Sequence, residues 1–259
     1  MKHSALIPKM LLEDRLIPST AKLLYVIIQI FHPTSMTNLA RISGLSRPLI
    51  SHHCSTLAQH GWIIKIKEGS KIAPFPVIPH PIQEQMVKDL YAGYSASPHK
   101  GEYLTKVWLS HLILTEDYVD NARPPFLQNP ITGELMELDR FMPSLGAGVE
   151  HHGPQHFAPT NAFSDTTQFK ERRARDLMKR SLCEENNIRL IVITTEDLSL
   201  DGILRKLPKD FPIRRVDADG PYIKALENLS AEYRAGLTRA MARETREREN
   251  RNRPRQSRA

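Results

Sequence analysis

The first eighty residues alternate between apolar and polar positions in a way that predicts three helices followed by two strands. Pro18 and Ser19 favour the start of the first helix, and His32-Pro33 ends it. Ile50, Cys54 and Leu57 recur at helical spacing in the third helix, so these side chains are expected to face a core. The predicted elements are, in order, helices over 18–31, 36–43 and 46–60 and strands over 62–67 and 71–73.

The second half of the chain contains strands at 138–142 and 147–150 that can close as a hairpin through a four-residue loop. Closure there pairs 142 with 147, 141 with 148, 140 with 149 and 139 with 150. Cross-strand partners have Cβ atoms roughly 5 Å apart, so the carboxylates of Asp139 and Glu150 are expected to face each other. Two solvated surface acids would give the same pattern. A hard cation such as Mg²⁺ suits the place between them, since it takes oxygen ligands and keeps positions for water and phosphate.

Beyond the hairpin the pattern predicts a helix over 168–183, a buried strand over 188–193 and a helix over 222–249. The first of these helices has two stripes. The apolar stripe is expected to pack on the sheet, and the polar stripe is expected to face solvent. The apolar stripe contains Ala174, Leu177, Met178 and Leu182, and the polar stripe contains Arg172, Asp176, Lys179 and Cys183.

Composition adds charge to this picture. The chain has 259 residues, a net charge of +7 and only two cysteines, Cys54 and Cys183. Two distant cysteines argue against a disulfide framework and favour a reducing compartment, and the start of the sequence lacks a signal peptide's apolar core. We therefore expect a cytoplasmic protein with no membrane span. Residues 230–259 carry nine Arg and four Glu, which suggests phosphate contacts or a solvated basic tail.

The N-terminal pattern resembles bacterial winged helix-turn-helix domains. The resemblance rests on Ser46-Arg47, Ile50-Ser51, Cys54, Leu57 and Gly61-Trp62-Ile63, which match a recognition helix and the entry to a wing. It implies double-stranded DNA as a partner, with this helix in the major groove. Arg47 would contact guanine, because its fork matches two acceptors on that base. The other residues implied in DNA contact are Ser51, His52 and Ser55 on the helix and Lys65, Lys67 and Lys71 on the wing. His52 and His53 could equally be polar residues on an outer helix face, and winged helices also serve as protein-interaction modules.

Residues 99–200 resemble PD-(D/E)XK nucleases, in the branch of very-short-patch repair endonucleases and related phage homing enzymes. Asp139 ends one strand, Glu150 lies on the next, and Gly153-Pro154-Gln155-His156 follows. A helix of the family's form then carries Phe169, Arg172, Arg175, Asp176, Lys179 and Cys183 ahead of a buried strand, and Glu102 matches the Glu of an earlier helix. Position 152, usually Asp in this branch or Lys in the wider superfamily, is His here.

This resemblance implies a role for each of these side chains. Asp139 and Glu150 would bind Mg²⁺ or Mn²⁺, and His152 or His156 would act as general base. Gln155 would position water or phosphate, Lys179 or Arg172 would neutralise the phosphate, and Glu102 and Asp176 would complete the catalytic set. A zinc cluster of His151, His152 and His156 is the alternative, although neighbouring strand residues point to opposite faces.

The sequence thus predicts an α/β (α+β overall) protein. It would comprise a winged helix over 1–80, a linker over 81–98, a restriction-endonuclease-like mixed sheet flanked by helices over 99–217 and a basic helix over 218–259. The expected function is a Mg²⁺-dependent DNA endonuclease or nickase of a plasmid, phage or other mobile element, dimeric if it cuts both strands. The alternatives are a DNA-binding regulator or replication factor with an inactive nuclease-like domain, and an enzyme that acts on RNA.

Overall fold

The protein, a computed structural model, is described over residues 9–153 and 166–252. Helices and strands are mixed, as the α/β (α+β) prediction requires. The helices are α1 Lys9–Glu13, α2 Ser19–Phe31, α3 Met36–Ser43, α4 Arg47–Gln59, α5 His80–Ala96, α6 Lys100–Leu112, α7 Thr166–Glu185, α8 Leu200–Lys206 and α9 Pro221–Asn252. The strands are β1 Ile63–Glu68, β2 Lys71–Pro76, β3 Val119–Ala122, β4 Leu138–Met142, β5 Ala147–His152 and β6 Arg189–Thr194.

The described chain forms two compact units that are interleaved along the sequence. The first contains Met1–Pro98, Lys106–Tyr118 and Leu207–Leu226, and the second contains His99–Thr105, Val119–Lys206 and Glu227–Ala259. These units differ from the contiguous segments predicted at 80, 98 and 217. Residues 81–98 form most of helix α5 within the first unit rather than an extended linker.

The first unit has the predicted three helices and two-stranded hairpin. Helix α2 ends at His32, which adopts the left-handed conformation, and helix α3 begins at Ser35, whose side chain accepts a hydrogen bond from the Asn38 N–H. Strands β1 and β2 pair antiparallel around a Gly69 turn with a φ of 61°. Ile50, Cys54 and Leu57 are buried as predicted, and they pack in one core with Leu24, Tyr25, Ile28, Leu39 and Trp62.

Two later segments complete the first unit through backbone contacts. Ile113 pairs with Ile213 in an isolated antiparallel bridge, and the Leu114 N–H donates to the Pro212 carbonyl over 2.8 Å. The Tyr222 N–H donates to Gln83 Oε1, which ties the later segment to helix α5. Long-range pairing of this kind assigns 106–118 and 207–226 to the first unit.

The second unit is built on a mixed sheet with strand order β3-β4-β5-β6. Strands β3, β4 and β5 are antiparallel neighbours, and β6 runs parallel to β5. The Arg140 side chain is 4% exposed and forms two hydrogen bonds to Asp120, its partner across β3 and β4, at 2.7 and 3.1 Å. Leu127, Met136, Leu138 and Cys183 form the core beneath helix α7. Across the described residues, the helices are too short or too polar to cross a membrane.

Candidate functional site

A polar cleft of about 850 Å³ lies in the second unit beside strand β5 and helix α7. Glu150 comes from the strand, Asp176 and Lys179 come from the helix, and the remaining wall is the segment that leads into β4. The lining residues are Arg123, Glu134, Leu135, Met136, Glu137, Glu150, Glu171, Arg175, Asp176 and Lys179. Charged groups of both signs therefore converge on one concave surface.

Glu150 and Lys179 form the central contact of this cleft. Lys179 Nζ lies 2.8 Å from Glu150 Oε1, and the two side chains are 16% and 8% exposed. A charge-assisted hydrogen bond of this length between groups largely shielded from water is much stronger than an exposed ion pair. The pair fixes the carboxylate and the ammonium group in defined positions.

Asp139 lies at the start of the same hairpin. The predicted register is confirmed for Met142–Ala147, Phe141–Gly148 and Arg140–Val149, where the ladder ends. At the next position, Asp139 Oδ2 accepts a hydrogen bond from the His151 N–H over 2.6 Å. Asp139 also contributes to the electrostatic environment of Glu150. Asp139 is thus near enough to raise the pKa of Glu150, while the predicted pairing of 139 with 150 lies just beyond the end of the ladder.

The orientation of helix α7 differs from the predicted one. Leu177 is 63% exposed and Ala174 is exposed, whereas Cys183 from the polar stripe is fully buried. Met178 and Leu182 do pack against the core. The face rotates because Glu150 on the sheet supplies a buried partner for Lys179, whose aliphatic stem can pack while its ammonium group forms the ion pair. Asp176 and Lys179 consequently point into the cleft rather than to open solvent.

The pKa of Glu150 is raised to about 7. Burial is the largest cause, the nearby Lys179 opposes it, and Asp139 and Asp176 raise the pKa further. At this position burial and the two neighbouring acids together outweigh the effect of the lysine, so Glu150 holds its proton up to near neutral pH.

The other predicted catalytic residues are placed as follows. His152 is the half-buried last residue of β5, and Glu102 is half-buried in the first turn of α6. Neither residue lines the cleft. Gln155 and His156 lie outside the described residues, and Arg172 lies on α7 with its side chain outside them. The structure therefore brings together Asp139, Glu150, Asp176 and Lys179 from the predicted catalytic set.

Arg123, Glu134 and Glu137 line the cleft and were not identified from the sequence, whereas Arg175 belongs to the predicted helix motif. Arg123 Nε pairs with Glu137 at 3.0 Å, and Arg175 Nη2 pairs with Glu134 at 3.5 Å. Glu137 is partly exposed and the other three side chains are largely exposed, so these pairs contribute little to stability. The segment 123–137 has few regular elements, so no periodic signal in the sequence points to it.

The donor set fits a magnesium or manganese ion better than zinc. The part of the chain that the structure describes has no cluster of three or more His, Cys, Asp or Glu side chains arranged around a metal. A structural zinc site needs four protein ligands, and His151 Nδ1 is already 3.0 Å from Thr105 Oγ1. Mg²⁺ is bound through one or two carboxylates and keeps several water ligands. Asp139 and Glu150 supply two carboxylates, the number that such a site uses.

The Glu150 carboxyl should make the folded protein less stable as the pH rises. Its pKa of about 7 exceeds the ordinary value of 4.5, so the folded state binds this proton more tightly than the unfolded state. Between pH 4.5 and 7 the free energy of unfolding therefore falls as the pH rises, by on the order of 3 kcal/mol from this group. Glu150→Gln removes the titration, and urea unfolding should show a flatter pH dependence for this variant. Parallel curves for the two proteins would contradict the assignment.

The first unit presents a basic surface on helix α4 and the β1–β2 hairpin. All seven predicted contact residues in this unit are exposed: Arg47, Ser51, His52, Ser55, Lys65, Lys67 and Lys71. Lys65 Nζ lies 3.2 Å from Ser55 Oγ, which links the hairpin to the helix. A groove of about 670 Å³ is lined by Arg41, Arg47 and Lys71 together with Ser35, Thr37, Asn38 and Ser70. The residues that line this groove carry positive charges and hydroxyl groups but no carboxylates, so the groove suits a polyanion such as nucleic acid.

The alternative that places both His52 and His53 on the outer face of helix α4 is wrong for His53. It is 7% exposed, so it lies on the inner side of α4, whereas His52 remains on the outer side. Burial lowers the pKa of His53, and the neighbouring His52 lowers it further. His53 is therefore a packed residue, and His52 alone of the two faces outward.

The relatives that this chain matches are viral proteins. No family model matches, and no solved structure matches significantly. Uncharacterized protein 033L of Invertebrate iridescent virus 3 is 44% identical over 73 residues, 28% of this chain and 38% of that protein. Uncharacterized protein 307L of Invertebrate iridescent virus 6 is 36% identical over 87 residues, which are 30% of this chain and 44% of that protein. Uncharacterized protein 094L of Frog virus 3 is 29% identical over 96 residues, which are 36% of this chain and 62% of that protein. The chain thus spans less than two thirds of each of these viral relatives.

Proposed function

We propose that this protein is a metal-dependent endonuclease or nickase that acts on double-stranded DNA. The observation that carries the proposal is that Asp139, Asp176 and Lys179 all act on Glu150 electrostatically, and that Glu150, Asp176 and Lys179 line one cleft. Paired carboxylates and a neighbouring ammonium group are the side chains that phosphodiester hydrolysis requires: the acids hold a cation, and the lysine offsets charge on the phosphate. The resemblance of residues 99–200 to PD-(D/E)XK nucleases supports the same reading.

Asp139 and Glu150 are the side chains that would hold Mg²⁺ or Mn²⁺. When bound, the ion would lower the pKa of a water ligand and polarise the attacked phosphate. Lys179 would lie against a phosphate oxygen once Glu150 turns toward the ion, and its ammonium group would neutralise the charge that develops there. Asp176, on the same helix face, would orient Lys179 or a water molecule. His152, or His156 or Gln155 beyond it, would accept or direct the proton of the attacking water, a task that suits an imidazole near neutral pH.

The first unit would bind the DNA as a winged helix. Helix α4 would enter the major groove with Arg47 at a guanine, since Arg47 is exposed in the first turn of that helix. Ser51, His52 and Ser55 would contact the same groove or its phosphates. Lys65, Lys67 and Lys71 would contact the backbone from the hairpin, and the groove between Arg41, Arg47 and Lys71 would hold a phosphate. Cleavage of both strands would require two active sites and hence a homodimer.

The biological setting that we propose is a virus or a related mobile element. The matched relatives are viral proteins, and an element that must find and cut a DNA site has use for a nuclease joined to a DNA-binding unit. A DNA-binding regulator or replication factor with an inactive nuclease-like domain is the second candidate. It is favoured by His152, which stands where similar nucleases have Asp or Lys.

Cleavage of supercoiled plasmid separates the two candidates. The purified full-length chain with Mg²⁺ or Mn²⁺ should convert a plasmid that carries a native target region to nicked or linear product. Asp139→Asn should abolish the conversion, because it removes one of the two charges that would hold the ion, while duplex binding in a gel-shift assay should persist. Glu137→Gln, on the exposed rim of the same cleft, is the matched control and should cleave normally. Duplex binding without cleavage in either metal would establish the second candidate instead.

A further inference from the structure

The last part of helix α9 is exposed on every side that the structure describes. Leu229 and Ser230 are buried, but from Thr238 to Arg246 every described side chain is exposed, including Met241 at 43%. Isolated helices of about 15 residues are marginally stable in water. A helix that leaves its core and remains this polar is suited to a partner of opposite charge rather than to an apolar one.

Three arginines of this segment share one face. Arg239, Arg243 and Arg246 are spaced i, i+4 and i+7, which places them within about 60° of one another around the helix axis. Their described contacts stay on the helix itself: Arg239 Nε donates to the Ala235 carbonyl, and Arg243 Nε pairs with Glu247 Oε1 at 3.0 Å. The three side chains form a basic stripe, which we call the arginine stripe.

We propose that the arginine stripe binds the phosphate backbone of duplex DNA. From Arg239 to Arg246 the helix rises about 10.5 Å, and along the axis of a B-form duplex this length holds about three phosphates of one strand, at 3.4 Å of axial rise each. Guanidinium groups bind phosphate oxygens in a bidentate manner. The inference rests on the proposed DNA-binding function and adds a contact surface outside helix α4, the hairpin and the cleft.

Glu247 gives this surface a distinctive property. Its pairing with Arg243 joins two exposed side chains one turn apart, 81% and 45% exposed, and such a pair is weak. A phosphate and Glu247 would compete for the same guanidinium group. Glu247 therefore weakens DNA binding, and its removal strengthens binding.

Salt dependence of duplex binding by the full-length protein tests the stripe. Each lost phosphate contact lowers the slope of log K against log salt concentration by about 0.9, so the triple variant Arg239→Gln/Arg243→Gln/Arg246→Gln should lower it by about 2.7. Glu247→Gln should bind about 2- to 5-fold more tightly at low salt, an effect of the size of one released surface charge. Arg205→Gln removes an exposed arginine from helix α8, outside the stripe, and as the control it should leave the slope unchanged. Circular dichroism of each variant checks that the helix persists.

The outcomes are distinct. A wild-type protein that binds duplex DNA with the same slope as the triple variant overturns the stripe and leaves the proposed function standing. A wild-type protein that binds no duplex overturns both. Binding to anionic phosphatidylserine vesicles that the triple variant loses, with an unchanged DNA slope, would assign the stripe to a membrane surface and overturn the inference. A loss in the triple variant with a gain in Glu247→Gln supports it.

Discussion

Replacing Lys179 with alanine should reduce DNA cleavage by about 10²- to 10³-fold, the usual effect of losing one well-placed charge at a reacting centre. Lys179 Nζ is held 2.8 Å from Glu150, and its side chain is 16% exposed, so solvent cannot replace the missing ammonium group in the same position. Duplex binding by the first unit should be unaffected. The rate of nicking of supercoiled plasmid at saturating protein measures the chemical step, and a gel-shift assay measures the binding.

The next residue on the helix supplies the control for this prediction. Arg180 carries the same charge but is exposed on another face of α7, so Arg180→Ala should cleave at the wild-type rate. Lys179→Arg should recover part of the activity, because it restores the charge without the compact ammonium geometry. A Lys179→Ala protein that nicks DNA as fast as the wild type would show that the Glu150–Lys179 pair has only a structural role.

Gly202→Ala should destabilise the second unit by about 2–3 kcal/mol or more, even though alanine is the better helix former by about 1 kcal/mol. A Cβ at position 202 of helix α8 would lie 2.4 Å from the carbonyl oxygen of Asp197 and 2.8 Å from its carbon. That backbone has little freedom to move: Asp197 Oδ2 accepts hydrogen bonds from both the N–H and the hydroxyl of Thr194, and Lys206 pairs with it at 3.1 Å. Urea unfolding of the variant gives the loss in the free energy of unfolding.

Gly236→Ala is the opposite case on helix α9. A Cβ at position 236 meets no atom within 4 Å, so only helix propensity acts and the variant should be more stable by up to about 1 kcal/mol. The two substitutions are chemically identical and both are helical, so their difference isolates the close approach at Gly202. Equal effects at the two positions would contradict the packing around Asp197.

The elements that local sequence predicts well are those whose partners are adjacent in the chain. The β4–β5 hairpin has the predicted register because strand alternation and loop length leave few other choices. The helix that starts after Ser46 follows from the proline in its first turn, although the Ser46 side chain makes no capping hydrogen bond, and the turn at Gly69 follows from the preference for glycine at positive φ. For these segments the local sequence is sufficient to predict the type and position of the element.

The face of helix α7 was predicted wrongly for a physical reason. Hydrophobic periodicity assigns Leu177 to the core and Lys179 to solvent. In the structure Lys179 pairs with the buried carboxylate of Glu150 on the sheet, and Leu177 is 63% exposed. A polar side chain that is paired can occupy a buried position, and one exposed leucine costs little. The pairing partner lies 29 residues away in the chain, so periodicity within the helix could not reveal it.

The same limit explains the unit boundaries. The contact of Ile113 with Ile213 joins residues a hundred positions apart, and neither segment has a pattern that indicates its partner. The linker predicted over 81–98 instead forms most of helix α5, which begins at His80, a few residues after strand β2 ends. A change in composition along the chain is therefore a weak indicator of a unit boundary when segments distant in sequence belong to the same unit.

The interleaved units have a consequence for dissecting this protein. A cut at residue 80 or 98, where a modular reading would place it, would leave Leu112 and Ile113, which are at most 1% exposed, on the fragment that lacks most of their surroundings. Each fragment would then expose to solvent apolar side chains that are buried in the intact protein, and we expect it to aggregate rather than fold. Joining either half to a foreign partner would fail for the same reason.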